Sequence, residues 1–152
     1  MDFKIKIDTR EQIPYWFSMP TERGTLSVGD YSVVGFENQI AIERKALNDL
    51  IGCLTVGRDR FKKELSRAKT LDYFAVVVEG KFSDLTCGRY RSKMNPKAAV
   101  QSLLTFSVRY GRLPIFFCET RQYAQEVTES LLTKYVREFE QGEKYEDMVG
   151  KQ

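Results

Sequence analysis

Two acids and a lysine at the ends of predicted strands are the residues of this chain best suited to chemistry. Glu43 and Lys45 end the segment of residues 39–45, and because strand side chains alternate between two faces, both project from the same face. Asp30 lies in a turn before residues 31–34, which are expected to form the hairpin partner of that strand. Converging carboxylates and an ammonium group predict a divalent-metal site that hydrolyses phosphodiester bonds.

A third acid is expected at the end of the first strand. Apolar and polar side chains alternate in residues 3–8, and this pattern delivers Asp8 to the polar face. Asp8 would complete the acidic cluster as a direct or water-mediated metal ligand. Its alternative role is an Asx turn that leads the chain out of the strand.

The chain has no histidine and only three cysteines, Cys53, Cys87 and Cys118, which are isolated in sequence. This composition excludes a Ser-His-Asp triad, an HEXXH zinc site and a His-based nuclease. It also argues against a disulfide framework or a structural zinc site, and it favours buried cysteines. An oxygen-liganded hard cation remains, and Mg²⁺ or Mn²⁺ is the natural candidate.

The order of the chemical residues resembles the GD…ERKxxxD signature of XPF-type structure-specific endonucleases, which belong to the PD-(D/E)XK nucleases. In this chain the signature is carried by Gly29, Asp30, Glu43, Arg44, Lys45 and Asp49. Residues 7–11 are similar to that family's opening strand and loop, and residues 57–61 are similar to its basic helix start. The resemblance covers roughly residues 3–135.

The signature assigns roles to the individual residues. Asp30 and Glu43 are expected to bind the metal together with the backbone carbonyl of Arg44, and Asp8 is expected to join them. Lys45 would either orient or deprotonate the attacking water, or stabilise charge in the transition state. The sequence leaves these roles of Lys45 open.

Positive charge is concentrated in two segments, residues 58–69 and 81–97, although the net charge is only +3. Such a distribution is expected if one face of the protein meets a polyanion. The alternatives are a solvated helix face for the first segment and a structural role for the second. The residues expected to contact DNA are Arg10, Arg44, Arg58, Arg60, Lys62, Lys63, Arg89 and Arg91.

Three of the candidate roles have structural alternatives. Arg10 and Arg44 would either grip phosphate or pair with Glu11 and Asp49 as structural bridges. Asp49 itself is expected to be structural rather than catalytic. Trp16 belongs to an aromatic trio that would cover the core, unless Trp16 stacks on an unpaired base.

The order of elements predicts an α/β fold, with a mixed central β-sheet flanked by helices. The resemblance makes this fold restriction-endonuclease-like. A helix is expected to begin at Asn95-Pro96 and to end before Gly111, and the apolar residues 73–79 are expected to form a central strand. The inner stripes of the last two helices are expected to contain Val100, Leu103, Leu104 and Val108, and then Val127, Leu131 and Tyr135.

The length of 152 residues predicts a single nuclease domain, residues 1–140, followed by a polar, disordered tail, residues 141–152. No segment approaches the ~20 apolar residues that cross a bilayer, so no membrane contact is expected. The first residues form a charged strand and not a secretion signal. We therefore expect a cytoplasmic protein, nucleoid-associated in a prokaryote or virus.

These observations predict a Mg²⁺- or Mn²⁺-dependent DNA endonuclease. The resemblance implies branched or flapped DNA as the substrate, cut near single-strand junctions during repair, recombination or replication. The alternative is a non-catalytic DNA-binding or partner subunit on the same fold. All four expected catalytic residues are present, which argues against that alternative; they are Asp8, Asp30, Glu43 and Lys45.

A homodimer or a helper protein is the expected protein partner. The last two helices are apolar nearly all round, which is typical of helices that are either deeply buried or paired. A homodimer through the C-terminal half would use apolar residues that lie off the expected core stripes, namely Phe106, Tyr110, Leu132 and Val136.

Overall fold

One mixed sheet of six strands forms the centre of the computed structural model, which describes residues 2–150 apart from the side chains of residues 144, 145, 147 and 148. The strands are β1 (Ile5–Asp8), β2 (Thr21–Gly24), β3 (Tyr31–Val33), β4 (Ile40–Ala46), β5 (Tyr73–Glu79) and β6 (Ile115–Phe117). Their spatial order is β2-β1-β3-β4-β5-β6. Strand β3 is antiparallel to both of its neighbours, and the other neighbouring strands are parallel.

Helices cover both faces of this sheet, as predicted. They are α1 (Leu47–Leu54), α2 (Arg58–Ala68), α3 (Phe82–Thr86), α4 (Pro96–Arg109) and α5 (Arg121–Gly150). The expected signals delimit α4. The side chain of Asn95 accepts a hydrogen bond from the Ala98 amide at 3.2 Å, and Gly111 adopts a φ of 70° just after the helix.

Apolar side chains pack in two layers, one on each face of the sheet. Helices α1, α2 and α4 cover the first layer, which contains Phe61 and Phe106, and α5 covers the second, which contains Leu132. Strand β4 contributes to both layers because its side chains alternate. Ala41 enters the first and Ile42 the second, as the alternation predicts.

The two edge strands are short and more exposed than the central ones. Strand β2 is charged and exposed, and it pairs with β1 through the backbone and through an ion pair between Lys6 and Glu22 at 3.5 Å. No apolar alternation in the sequence reveals this strand. Strand β6 is a half-exposed edge strand. The cysteines differ from the expected burial, since Cys118 is buried, Cys53 is half-buried and Cys87 is exposed.

The buried faces of α4 and α5 are rotated from the predicted stripes. Leu104 and Val108 are 54% and 83% exposed, although both were expected inside. The expectation that Phe106, Leu132 and Val136 lie off the core was wrong, because all three are buried. Adjacent apolar positions compete for the inner face of each helix, and only the packed structure chooses between them. Among the side chains of α5 that the structure describes, the buried ones are Ala124, Thr128, Leu132 and Val136.

Helix α5 continues to Gly150, although the polar composition predicted a disordered tail from residue 141. Glutamate, lysine and glutamine are good helix formers, so a polar segment can extend an existing helix. Residues 151 and 152 of the expected tail lie outside the described residues, and the domain boundary stays a prediction. Within residues 2–150, no helix is both long enough and apolar enough to cross a membrane.

Candidate active site

Strand β4 carries Glu43 and Lys45 toward the layer formed by α1 and α2. The strand is held on one side by β3 and on the other by β5, where Glu43 pairs in register with Val76. Glu43 is only 5% exposed, and the Nζ atom of Lys45 lies 3.1 Å from its Oε2 atom. The predicted shared face of these two side chains is therefore present.

A tight turn brings Asp30 beside Glu43. Gly29 adopts a φ of 81°, and the amide of Asp30 donates a hydrogen bond to the carbonyl of Ile42 at 2.9 Å. The side chain of Asp30 accepts a hydrogen bond from the Arg44 amide at 2.8 Å. These backbone contacts fix the acid against the strand that carries Glu43.

Asp30 and Glu43 form an electrostatically unfavourable pair. Burial raises the pKa of both carboxyl groups, and the charge of Asp30 raises the pKa of Glu43 further, to well above its usual value. The two side chains lie within hydrogen-bonding reach of each other. Neighbouring buried carboxylates are stabilised by a cation, so this pair is suited to bind one.

Lys45 supplies part of the positive charge that stabilises the two carboxylates. Burial lowers the pKa of its ammonium group, but the charges of Glu43, Cys53 and Glu64 outweigh burial, and the pKa lies above its usual value. The Nζ atom also lies 5.7 Å from the centre of the Phe61 ring. Lys45 is thus a charged hydrogen-bond donor beside Glu43.

Asp8 is occupied by contacts within the protein. Its Oδ2 atom accepts hydrogen bonds from the Nε atom of Arg10 at 2.7 Å and from the Arg10 amide at 3.1 Å, and its Oδ1 atom accepts one from the Leu26 amide at 2.8 Å. Burial raises the pKa of Asp8, but these hydrogen bonds outweigh it and lower the pKa below its usual value. The geometry matches the Asx-turn alternative more closely than that of a free ligand.

Glu64 of α2 joins the site, although no motif singled it out. A cleft of about 200 Å³ contains Asp30, Glu43 and Glu64 in its wall, with Arg10 and Arg67 at its rim. The charge of Glu64 raises the pKa values of Asp30 and Glu43. One sequence signal was present, because Glu64 lies one helical turn from both Phe61 and Ala68 on the buried face.

The residues of the cleft fit a Mg²⁺ ion. In the described part of the chain, no three His, Cys, Asp or Glu side chains lie close enough together to bind a metal jointly. Mg²⁺ does not require such a cage, because it retains several waters and is commonly held by one or two carboxylates and the phosphates of the substrate. Asp30 and Glu43 would provide the two carboxylates, with the carbonyl of Arg44 as the expected third oxygen.

The Arg44 side chain points to the opposite face of β4 and pairs with acids. Its Nε atom lies 2.8 Å from Oε2 of Glu79, and its Nη1 atom lies 3.5 Å from Oε2 of Glu11. The hydroxyl of Tyr15 donates a hydrogen bond to the same Glu79 oxygen at 2.6 Å. Arg44 therefore forms the expected structural bridge with Glu11. Asp49, the other expected partner, is exposed on α1. Glu79 is a partner that the sequence analysis missed.

The predicted DNA-contacting residues fall into two groups. Arg58 points inward, because its guanidinium group donates hydrogen bonds to Leu54 and Ser102 and lies 4.9 Å from the centre of the Phe106 ring. Arg89 pairs with Asp84 at 2.8 Å on an exposed surface. The other residues of these two segments that were expected to contact DNA are exposed or half-exposed; they are Arg60, Lys62, Lys63 and Arg91.

We predict that Gly29→Ala destabilises the protein more than Gly35→Ala. Both glycines have positive φ, which costs an L-residue about 1–2 kcal/mol. A Cβ atom at Gly29 would also lie 2.7 Å from Cβ of Ala41, whereas a Cβ atom at Gly35 meets nothing within 4 Å. The difference between the unfolding free energies of the two variants, measured in urea, isolates the contribution of this contact. Equal losses of stability would contradict the tight fit of the turn against β4.

Comparison with known proteins adds a family match to this geometry. The ERCC4 domain model matches residues 7–131. The fold is similar to that of XPF from Aeropyrum pernix, with a TM-score of 0.67 and 24% identity over 87% of this chain and 61% of that chain. It is also similar to XPF from Aeropyrum pernix in complex with DNA, with a TM-score of 0.68 and 23% identity over 90% of this chain and 66% of that chain.

These likenesses have defined limits. At such identities the two solved structures show the fold alone, and the chain spans less than two thirds of the length of either one. No curated protein matches the sequence significantly.

Proposed function

Because the chain belongs to the ERCC4 domain family, we propose that it is a metal-dependent endonuclease that hydrolyses phosphodiester bonds in DNA. The family match confirms the predicted resemblance to XPF-type nuclease domains. The predicted mixed sheet with flanking helices is likewise confirmed, and its fold is restriction-endonuclease-like.

The adjacent carboxyl groups of half-buried Asp30 and buried Glu43, with Lys45 at 3.1 Å from Glu43, are the observation that carries the proposal. A Mg²⁺ or Mn²⁺ ion bound there would polarise a phosphoryl oxygen and lower the pKa of a bound water. Asp30 and Glu43 would hold this ion. Asp8 would act indirectly, by fixing Arg10 at the rim of the cleft.

Lys45 is proposed to stabilise negative charge that develops on the phosphate. Its ammonium group lies beside the proposed metal ligand and is only 18% exposed, so its charge is weakly screened by solvent. The alternative role, deprotonation of the attacking water, requires a neutral amine.

Branched or flapped DNA is the proposed substrate, and repair, recombination or replication inside the cell is the proposed setting. The family membership and the solved complex of an XPF with DNA support DNA as the polymer, and the branched structure follows from the resemblance to the XPF-type signature. The exposed basic residues of α2 add independent support, because Arg67 of this helix lines the cleft beside Asp30 and Glu43.

A panel of flap, fork, nicked, linear and single-stranded DNAs, each with Mg²⁺ or Mn²⁺, tests the proposal. We expect cleavage near the single-strand junction, and none in the presence of EDTA. Binding to these DNAs without cleavage of any would instead support the alternative, a non-catalytic DNA-binding subunit.

Reversing the charges of Arg60 and Lys63 to Glu is predicted to weaken binding of all DNA substrates alike. Each cation that contacts a phosphate releases a condensed counterion. Removing two such contacts should therefore make the negative slope of log affinity against log salt concentration shallower by about 2. Fluorescence anisotropy over a series of salt concentrations measures both quantities. Unchanged affinity with an unchanged slope would mean that this face of α2 is only solvated.

Arg58 provides a matched control on the same helix. Because its guanidinium group contacts Ser102 and the Phe106 ring, Arg58→Ala should lower the unfolding free energy by about 1–2 kcal/mol. The salt slope of DNA binding should remain that of the unaltered protein.

A homodimer remains the proposed assembly, but through a different surface from the one predicted. With Phe106, Leu132 and Val136 buried, the exposed apolar residues near α4 and the edge strand β6 are Phe82, Leu104, Val108 and Phe116. An apolar groove between α4 and β6 adjoins them. Such a patch beside an open sheet edge is suited to a protein contact.

Leu104→Asp combined with Val108→Asp is therefore predicted to yield a folded monomer. Both side chains are exposed, so charges there should leave the core intact while disrupting an apolar interface. Sedimentation equilibrium at micromolar concentration measures the change, with Val56→Asp, at a fully exposed position elsewhere, as the control. An unaltered chain that is already monomeric would contradict the homodimer and mean that any protein partner is a different protein.

A further inference from the structure

Trp16 is the most exposed aromatic residue in the described part of the chain. Its side chain is 80% exposed, whereas its neighbours Tyr15 and Phe17 are 2% and 6% exposed. The aromatic trio therefore covers the core with two residues and presents the third to solvent. Ile13 in the same loop is 74% exposed, so two large apolar side chains stand on one short segment.

The loop that carries Trp16 is held firmly against α5. The Trp16 amide donates a hydrogen bond to the Gln125 side chain at 2.8 Å, and the Ser18 hydroxyl donates one to Glu129 at 2.6 Å. The guanidinium group of Arg121 donates to the carbonyl of Ile13 at 2.6 Å. A backbone fixed in this way can present an indole ring with little loss of entropy on binding.

The loop that carries Trp16 begins at the proposed catalytic cleft. Arg10, at the start of this loop, lines the cleft together with Asp30 and Glu43, and Trp16 follows six residues later. The Tyr15 ring stacks on the Tyr31 ring with centres 5.1 Å apart, which fixes the loop against the sheet. A DNA strand bound in the cleft would therefore meet this loop at Arg10.

Three arginines lie along this loop. Arg10 and Arg121 are paired with Asp8 and Glu79 but keep side chains 70% and 40% exposed, and Arg23 donates a hydrogen bond to the Glu11 carbonyl from an exposed position. Aromatic side chains combined with cations that contact the phosphate backbone are typical of sites that bind single-stranded nucleic acid.

We propose that Trp16, supported by Ile13, is a stacking site for an unpaired base of the DNA substrate. The inference rests on the proposed endonuclease function and deepens it, because it assigns recognition of the single-stranded side of a junction to this loop. The arginines around the loop would contact the phosphates of the same strand.

The intrinsic fluorescence of the protein tests the proposal directly, because Trp16 is the only tryptophan of the chain. In EDTA, which prevents cleavage, we expect a short single strand of thymidines to quench the emission and a blunt duplex to leave it unchanged. Anisotropy of the labelled DNAs reports binding independently. Saturated binding of the single strand with unaltered emission would overturn the stacking site and leave the endonuclease proposal standing. Absence of binding by either DNA would overturn both.

Variants supply a second readout. Trp16→Ala should weaken single-strand binding by about tenfold or more, because a base stacked on an aromatic ring contributes about 1–3 kcal/mol, while Trp16→Phe should retain most of the affinity. Val149→Ala, an exposed apolar change near the far end of α5, should have no effect. If Trp16→Ala leaves every DNA affinity unchanged but alters sedimentation, the loop binds protein and the proposal is overturned.

Discussion

Replacing Asp30 by Asn, or Glu43 by Gln, is expected to abolish cleavage while the protein remains folded. Each change keeps the shape of the side chain and removes a charge that would hold the metal. Metal catalysis supplies several kcal/mol of transition-state stabilisation, so the rate should fall on the order of a thousandfold or more. Single-turnover cleavage of a labelled substrate at saturating Mg²⁺ measures this loss.

Thermal stability separates this prediction from simple unfolding. Glu43 is buried beside half-buried Asp30, and the charge of Asp30 raises the pKa of Glu43, so neutralising one of the two should preserve or increase the melting temperature of the metal-free protein. Glu126→Gln, at an exposed acid on α5, is the matched control and should leave both rate and stability unchanged. Near-normal turnover by Asp30→Asn or Glu43→Gln would remove that residue from the site.

The centre of the site was predictable from sequence because its geometry is local. Alternation along β4 places Glu43 and Lys45 on one face regardless of the rest of the fold. The turn at Gly29 then leads directly into the partner strand β3, which fixes Asp30 next to Glu43. Short-range rules determined both placements, and the structure agrees with them.

The roles of Asp8 and Glu64 were only partly predictable, because each depends in part on a contact distant in sequence. The Asx turn from Asp8 to the Arg10 amide is local and was an expected alternative, whereas the contact of Asp8 with the Leu26 amide is not local. The spacing of Glu64 from Phe61 and Ala68 places it near the buried face of α2, but Glu64 lines the cleft only because that face packs toward β4. Local patterns therefore indicate both residues without identifying all of their partners.

Helix rotation explains the remaining differences. Arg58 and Arg60 are both basic residues of the first turn of α2, but the first points toward α4 and the second toward solvent. In α4, Leu103 and Leu104 are adjacent and equally apolar, and only Leu103 is buried. A stripe of several apolar positions permits more than one rotation, and the packing of the whole layer decides between them.

Lys45→Ala is expected to lower turnover on the order of a hundredfold or more, because an ammonium group in a poorly solvated site stabilises phosphate charge by several kcal/mol. Metal and DNA binding should be retained, since the two acids and the basic face of α2 remain. Mg²⁺ calorimetry, DNA anisotropy and single-turnover rates measure these three quantities separately. A loss confined to DNA affinity would assign Lys45 to substrate binding.

Lys45→Arg distinguishes the two chemical roles of the residue. Arginine keeps the positive charge but cannot lose a proton near neutral pH, so it can stabilise phosphate charge and cannot act as a base. We expect Lys45→Arg to retain far more activity than Lys45→Ala. We also expect the unaltered enzyme to keep its cleavage rate at pH values at which Lys45 is protonated. If the arginine variant is as inactive as the alanine variant, although it folds and binds Mg²⁺ normally, proton transfer by Lys45 becomes the better explanation. The result matters beyond this residue, because a charged Lys45 leaves activation of the water to the metal held by Asp30 and Glu43.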